Sequence, residues 1–310
     1  MTSIILHHFE ASPFSEKVRA LLGYKSLSWQ SVLIPRILPK PDLVALTGGY
    51  RKTPVMQIGR DIYCDTRLIA RTIETHAPNP PAIPAADTTS VVALERFADR
   101  QLFLAAVPAM FRPAGRAFLV EKMGEDGLAR FQADRAELFA SGNVARPDAA
   151  FSEAVLPPSL AALDTQLAAR DFLLGAQPTL ADFAVYHPVW YIRANAGIAD
   201  LLDPYRHLLA WADRVRALGH GHREELDAAQ AHAIAAQTTD WQPLPEPVEH
   251  KLAPGTAVTV AATDYGTEPV AGRLVCIGRD SMTIERDGPQ GAPVRVHCPR
   301  EGFHVAAADN

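Results

Sequence analysis

Apolar and polar positions change their period twice along the chain, and the two changes divide it into three stretches. The first runs to about residue 80 and alternates strand and helix signals. Ile4 to Phe9 is a short apolar run suited to a buried strand, and Ala11-Ser12-Pro13 is a turn. From Phe14 the spacing of Val18, Leu21 and Leu22 puts apolar residues on one helical face, with Gly23 as a stop. Trp29 to Ile34 reads as a second strand. Pro35, Pro39 and Pro41 break regular structure and lead into a short helix through Leu43, Val44 and Leu46. After the Gly48-Gly49 turn, Pro54 to Ile58 and Asp61 to Tyr63 read as two more strands. Arg67 to His76 carries Leu68, Ile69, Thr72 and Ile73 at helical spacing. The predicted order is βαβ-αββα, closed by a linker at Pro78 to Pro84.

From about 87 to 238 the pattern is helical, with pieces at 88–107, 113–121, 126–141, 152–170, 179–194, 204–218 and 222–237. Thr179 and Asp182 form a capping box in which Asp replaces the usual Glu or Gln. Phe183 to Ile192 is apolar nearly all round, which predicts the buried central helix of a bundle. The proline-rich stretch Pro243 to Pro247 reads as a semi-rigid spacer. Beyond it the period falls from 3.6 to 2. Thr256–Thr263, Val270–Ile277, Met282–Arg286 and Pro293–Cys298 predict strands separated by turns at Tyr265-Gly266, Gly278 and Asp287-Gly288. The expected domains are therefore 1–80, 87–238 and a small all-β unit at 250–310, for which an SH3-like barrel is the guess.

Composition narrows the function classes. With 48% hydrophobic and 21% charged residues in 310, the chain can build a sizeable core. The net charge of −5 gives no basic field for nucleic acid. It is distributed as +4 over residues 1–80, −6 over 81–240 and −3 over 241–310, so the first stretch suits a small anionic ligand, and ordinary solvated surface charge accounts for it equally well. No apolar run approaches 18 residues, and Cys64, Cys276 and Cys298 are too scattered for a disulfide framework or a zinc site. A cytoplasmic protein with no membrane partner, no nucleic-acid partner and no metal is expected.

Three short motifs can carry chemistry. Ser12-Pro13-Phe14-Ser15 stands where a strand hands over to a helix, beside unpaired N–H groups and the positive end of the helix dipole. Ser12 has no neighbouring base to make it a nucleophile. Its workable role is to donate a hydrogen bond to a thiolate brought by a ligand; its local role, and that of Ser15, is a helix cap. Thr53-Pro54-Val55 opens a strand after a loop, a place for a cis peptide bond and for backbone pairing with a peptide ligand. It is also an ordinary strand entry. Asp65-Thr66 opens a helix, where a carboxylate, a hydroxyl and free amides can hold an amino acid's charged groups or simply cap the helix. His7, His8, His220, His222 and His297 lack the further ligands that a metal needs.

In this order, and followed by an all-helical stretch with Thr179-x-x-Asp182, these motifs resemble the glutathione transferase family over residues 1 to about 238. Ser12-Pro13-Phe14 followed by Lys17-Val18-Arg19 is most similar to the serine-type tau class, and to the omega class with Ser in place of its cysteine. The resemblance implies a thioredoxin-like α/β domain packed on an all-α domain, glutathione as co-substrate, conjugation of its thiol to a small electrophile in detoxification, and a homodimer. It places Ser12 at the catalytic position. It makes Thr53, Pro54 and Val55 the cis-proline loop of the glutathione site, with the backbone at Val55 pairing with the cysteinyl part, and gives Asp65 and Thr66 to the γ-glutamyl group and Lys52 to the glycyl carboxylate, with Arg51 as the alternative to Lys52. Asp65 is one methylene shorter than the family's Glu, and Gly49-Tyr50-Arg51 replaces the usual approach to the loop. Phe103, Met110, Phe111, Arg112, Tyr186 and Trp190 are candidates for the electrophile's site by type and place, with Phe111 and Arg112 foremost, and most of them equally suit the core of the bundle. The competing expectation is a protein that keeps the fold with little turnover and uses its β tail to dock a partner.

Overall fold

A computed structural model describes residues 3–308. The first stretch forms β1 (Ile4–His8), α1 (Pro13–Tyr24), β2 (Ser28–Leu33), α2 (Pro41–Thr47), β3 (Val55–Ile58), β4 (Asp61–Cys64) and α3 (Thr66–His76). β1 and β2 are parallel across α1, β1 and β3 antiparallel, and β3 and β4 a hairpin. This is the expected thioredoxin-like arrangement. Its sheet is covered on both faces, so both His7 and His8 are buried.

The helical stretch comprises α4 (Thr88–Arg96), a π-helical segment at Phe97–Leu102, α5 (Phe103–Ala109), α6 (Pro113–Leu138), α7 (Ala149–Leu167), α8 (Leu180–Arg193) and α9 (Arg206–Ala217). The two expected helices at 113–121 and 126–141 are both present within α6, separated by a kink at Gly124, where φ is 70° and ψ 163° and the backbone leaves helical geometry. α8 is the predicted central helix, buried from Leu180 to Val189. Its capping box forms, and Asp182 also accepts hydrogen bonds from Leu173 N (2.8 Å) and Trp211 Nε1 (2.9 Å). One carboxylate thus fixes the start of α8, the turn before it and α9.

The expected helix over 222–237 is corrected. His222–Glu225 is a strand, β5, lying parallel beside β2, and helix α10 (Ala228–Gln237) starts only after the capping box of Asp227 and Gln230. The sequence His-Arg-Glu-Glu has neither apolar period because β5 is an edge strand whose side chains face mostly water.

The tail is all-β as expected, with β6 (Ala257–Ala262), β7 (Val270–Ile277), β8 (Ser281–Asp287), β9 (Pro293–Pro299) and an unexpected fifth strand, β10 (Phe303–Ala307). The division near residue 250 is one of sequence; in space β9 pairs in parallel with β4. One ten-stranded sheet results, in the order β10-β6-β7-β8-β9-β4-β3-β1-β2-β5. Ile5, Val32 and Ile62 of the first stretch share a core with Val258, Ile284 and Val296 of the tail. The proline-rich stretch is anchored rather than free. Trp241 lies between the guanidinium groups of Arg60 (4.0 Å from the ring centre) and Arg295 (4.1 Å), which straps the connection onto the sheet junction.

Candidate functional site

The site is built where β1 ends and α1 begins. Ser12 has extended backbone geometry, and its Oγ accepts a hydrogen bond from Ser15 N at 3.2 Å, so it caps α1 with Pro13 at the first helical position. A hydroxyl that accepts one N–H keeps its own proton for another partner. Ser12 is buried, and it lines a cavity. Ser15 Oγ is buried with no hydrogen-bond partner among the described residues and lines neither of the cavities described here.

Two adjoining cavities share the walls formed by Phe14, Lys52, Thr53 and Tyr265. The smaller, of about 80 Å³, is called the polar cavity for the charged side chains on its wall, Asp65, Arg67, Asp99 and Asp264 among them, and is bordered as well by Pro54 and Thr66. The larger, of about 200 Å³, is mainly apolar and is bordered by Ser12, Phe103, Phe111 and Tyr191. The Thr53–Pro54 peptide bond is cis, and Val55 is buried at the start of β3. Asp65 sits at φ 73° and caps α3, its Oδ1 accepting from Arg67 N at 2.9 Å. Ser12, Thr53, Pro54, Asp65 and Thr66, far apart in sequence, therefore border one continuous cleft.

Beneath Thr66 lies a buried charge cluster. Lys17 Nζ donates to Thr66 Oγ1 (3.3 Å), Glu95 Oε1 (3.0 Å) and Asp99 Oδ2 (2.8 Å). Asp99 also lies 3.3 Å from His187 Nε2 and forms part of the polar cavity wall. Burial pushes the Asp99 carboxyl up to about 6, with the neighbouring Glu95 adding to the shift and Lys17 opposing it.

Lys52 is where the resemblance needs it but is already matched. Its Nζ is 2.5 Å from Asp264 Oδ1 and 4.3 Å from the centre of the Tyr265 ring. Arg51, the alternative, turns toward the helical stretch and pairs with Asp134 (2.6 Å), Glu137 (3.4 Å) and Glu268 (3.3 Å). Of the residues expected for an electrophile, Phe103 and Phe111 border the apolar cavity. Arg112 stands at the cap position of α6 and does not border it; Met110 and Tyr186 are buried in the core, and Trp190 packs at its edge. Tyr191, Asp99, Asp264 and Tyr265 are site residues that sequence reasoning did not find. Tyr265 read only as the start of the Tyr265-Gly266 turn, with Asp264 just before it, and no local signal lays that turn over a cleft formed some 200 residues earlier in the chain.

Among the described residues no group of three or more His, Cys, Asp or Glu side chains is placed to hold a metal ion, and no single helix is long and apolar enough to cross a membrane. His297 pairs instead with Asp61.

Comparison with known proteins agrees with this geometry. The family model for the glutathione S-transferase N-terminal domain matches residues 6–81, and that for the glutathione S-transferase C-terminal domain matches residues 127–214. Among solved structures, a GST-like protein from Pseudomonas syringae is 38% identical, with 99% of this chain and 100% of that one covered and a TM-score of 0.79. A glutathione S-transferase from Rhodospirillum rubrum is 19% identical over 69% of this chain and 88% of its own, with a TM-score of 0.53. One from Methylobacillus flagellatus, solved with GSH bound, is 21% identical over 70% and 99%, with a TM-score of 0.52. The latter two show a likeness of fold. No curated protein matches significantly.

Proposed function

The chain belongs to the glutathione S-transferase family, and on that premise we propose that it binds glutathione in the polar cavity and transfers its thiol to a small electrophile held in the apolar one. The observation that carries this reading is the shared wall. A ligand whose γ-glutamyl group meets Asp65 and Thr66, and whose cysteinyl part meets the Thr53–Pro54 loop, has its sulfur toward the shared wall at Phe14, beside the cavity that Ser12 borders; Val55, expected to pair with it, is buried and borders neither cavity.

Ser12 Oγ, with its proton unclaimed by the cap, donates to the sulfur. A free thiol has a pKa of about 8.5, and a hydrogen bond to a charged group contributes roughly 1.5–3 kcal/mol. That lowers the thiol by about one to two pH units, so the thiolate is substantially populated at neutral pH. The N-terminus of α1 adds its dipole in the same direction. The thiolate then attacks the electrophile: a carbon–sulfur bond forms, the leaving group departs with the bond pair, and the thiol proton goes to solvent. Serine cannot form a mixed disulfide, which disfavours exchange through the protein itself. The homodimer implied by the family belongs to the same proposal and is tested by light scattering.

Calorimetric titration of glutathione into wild type and Asp65→Ala tests the binding step. Micromolar to low-millimolar affinity that is lost in the variant is expected, and turnover of an activated aryl halide should follow. The second reading, a binding protein with little turnover, is favoured by one observation: Lys52 and Arg51 already have internal partners. Binding without turnover would select it.

A further inference from the structure

We propose that Asp264, delivered from the tail by the β6–β7 loop, sets the ligand class of the polar cavity: it selects γ-glutamyl-cysteinyl peptides whose third residue ends in an amide, and disfavours glutathione, which ends in a carboxylate. This rests on the glutathione reading and refines it.

The argument begins with charge. Of the three cations nearest the Thr53 loop, Lys52 and Arg51 are ion-paired within the chain, whereas Lys40 borders neither cavity and is held by neutral oxygens. Lys52 pairs with Asp264. Arg51 pairs with Asp134, Glu137 and Glu268. Lys40 Nζ is buried and donates to Arg51 O and Thr53 Oγ1, both at 3.1 Å. Of the other guanidinium groups of the cleft, Arg67, Arg96 and Arg100 line the same polar cavity, Arg67 paired with Asp65 and Glu301 and Arg96 with Glu301, and Arg36, Arg135 and Arg146 line the apolar one. A ligand carboxylate arriving beside Lys52 meets a cation already neutralised and the Asp264 carboxylate next to it.

The loop is also held against displacement. Asn143 N donates to Thr263 O (3.0 Å), Val144 N to Asp264 O (3.2 Å) and Gly266 N to Leu138 O (2.8 Å). The Tyr265 ring stacks on Phe139 at 4.4 Å and covers Lys52. At Gly142, where φ is 99°, a Cβ would stand 2.0 Å from Asp264 O, so this approach needs glycine. Asp264 Oδ1 receives both Lys52 Nζ and Tyr265 N (2.8 Å). Neither of those bonds uses Oδ2, and a carboxylate oxygen accepts but does not donate. An amide N–H is the complement of that oxygen; a second carboxylate is its opposite.

The test is calorimetric titration of the full-length protein with glutathione and with glutathione amidated at its glycyl carboxyl. At least fivefold tighter binding of the amide to wild type is expected. A ratio below fivefold, or a preference for glutathione, overturns the assignment while leaving the glutathione reading in place. Binding of neither ligand overturns that reading, and this assignment with it. In Asp264→Asn, which keeps an acceptor for Tyr265 N and frees the Lys52 charge, the preference should reverse; an unchanged ratio would overturn the role of Asp264. The wild-type comparison decides the matter even if the variant does not fold.

Discussion

His297 Nε2 lies 2.7 Å from Asp61 Oδ1 across the β4–β9 junction, and both side chains are buried. The other atoms of the pair are also occupied. His297 Nδ1 is 2.9 Å from Thr283 Oγ1, and Asp61 Oδ2 accepts from Gln242 N at 2.9 Å. The imidazole stacks on Tyr63 at 4.5 Å, with 10° between the rings. A fully satisfied polar pair inside a sheet fixes register, because any slip leaves its members buried and unmatched. His297→Ala would leave Asp61 with a missing partner and should destabilise the protein by about 3 kcal/mol, read from urea unfolding. A chain ending at Asp240 exposes the β4 edge and loses much of the second core, so it should be recovered aggregated. A soluble, glutathione-binding fragment would show instead that the tail is an appendage.

Ser12 and Ser15 make opposite predictions. Ser12→Ala removes the α1 cap and the thiolate's donor. Stability should fall by about 1 kcal/mol, and kcat/KM with glutathione and an activated aryl halide by about 10- to 100-fold. Ser15→Ala removes a buried hydroxyl that has no partner among the described residues, so stability should be unchanged or slightly raised and turnover retained. Steady-state kinetics on the pair decide the assignment, and the reverse pattern would move the donor role to Ser15.

The first 80 residues and the central helix were legible because their signals are local: an apolar run, a cap, a proline, a 3.6-residue period. Ser12, Pro54 and Asp65 could be singled out for that reason. β5 was not legible because an edge strand of His, Arg and Glu carries no apolar alternation. The junction of β9 with β4 was not legible either. Tyr63 and His297 are partners 234 positions apart, and each strand's pattern is equally satisfied by pairing within its own hairpin. Asp264 shows the same limit at the site. A turn's sequence reports its own geometry, whereas its position over Lys52 depends on the whole tail joining the first sheet.

Acid should unfold the protein through its buried histidines. His7 Nε2 donates to Gln57 Oε1, since Gln57 Nε2 already donates to Gly59 O and Ala231 O. His8 Nδ1 accepts from Arg19 Nη1, which only donates, so the His8 proton is on Nε2, facing Ser31 Oγ. Burial lowers His7 to about 4, with His232 adding to the shift and Gln57 and Asp42 opposing it. Burial lowers His8 to about 3, with Arg19, Arg223 and His7 adding to the shift and Glu10 opposing it. In the unfolded chain both titrate near 6.5, so from pH 6.5 down to about 4 the unfolded state binds more protons than the folded one. The stability contributed by keeping these rings neutral is complete above 6.5. Each ring should lose on the order of 3 kcal/mol of it over that window. His187, likewise buried, is also held well below its ordinary value by burial, with Lys17 adding to the shift. Urea midpoints measured from pH 7.5 to 4.5 should fall steeply below 6.5, and His7→Gln should flatten the slope by about a third.

Lys17 ties stability to the site through a group the reaction does not touch. Its ammonium is fully buried and holds Glu95 and Asp99 on one side and Thr66 on the other. Lys17→Met fills the same volume but leaves Glu95, the more deeply buried carboxylate, with only Arg71 at 3.4 Å. Removing one member of a buried ion cluster costs about 3–5 kcal/mol, because the charges left behind have lost their solvent as well as their partner. Adding Glu95→Gln to Lys17→Met lowers that residual charge and should recover part of the loss, a coupling that a double-mutant cycle in urea measures. Thr66 loses its donor in both variants, so glutathione affinity should fall by a similar factor in each, about fivefold for one hydrogen bond. Recovery of stability without recovery of affinity would separate Lys17's positioning of Thr66 from its role in the core; equal recovery of both would show that Thr66 is held by the fold alone.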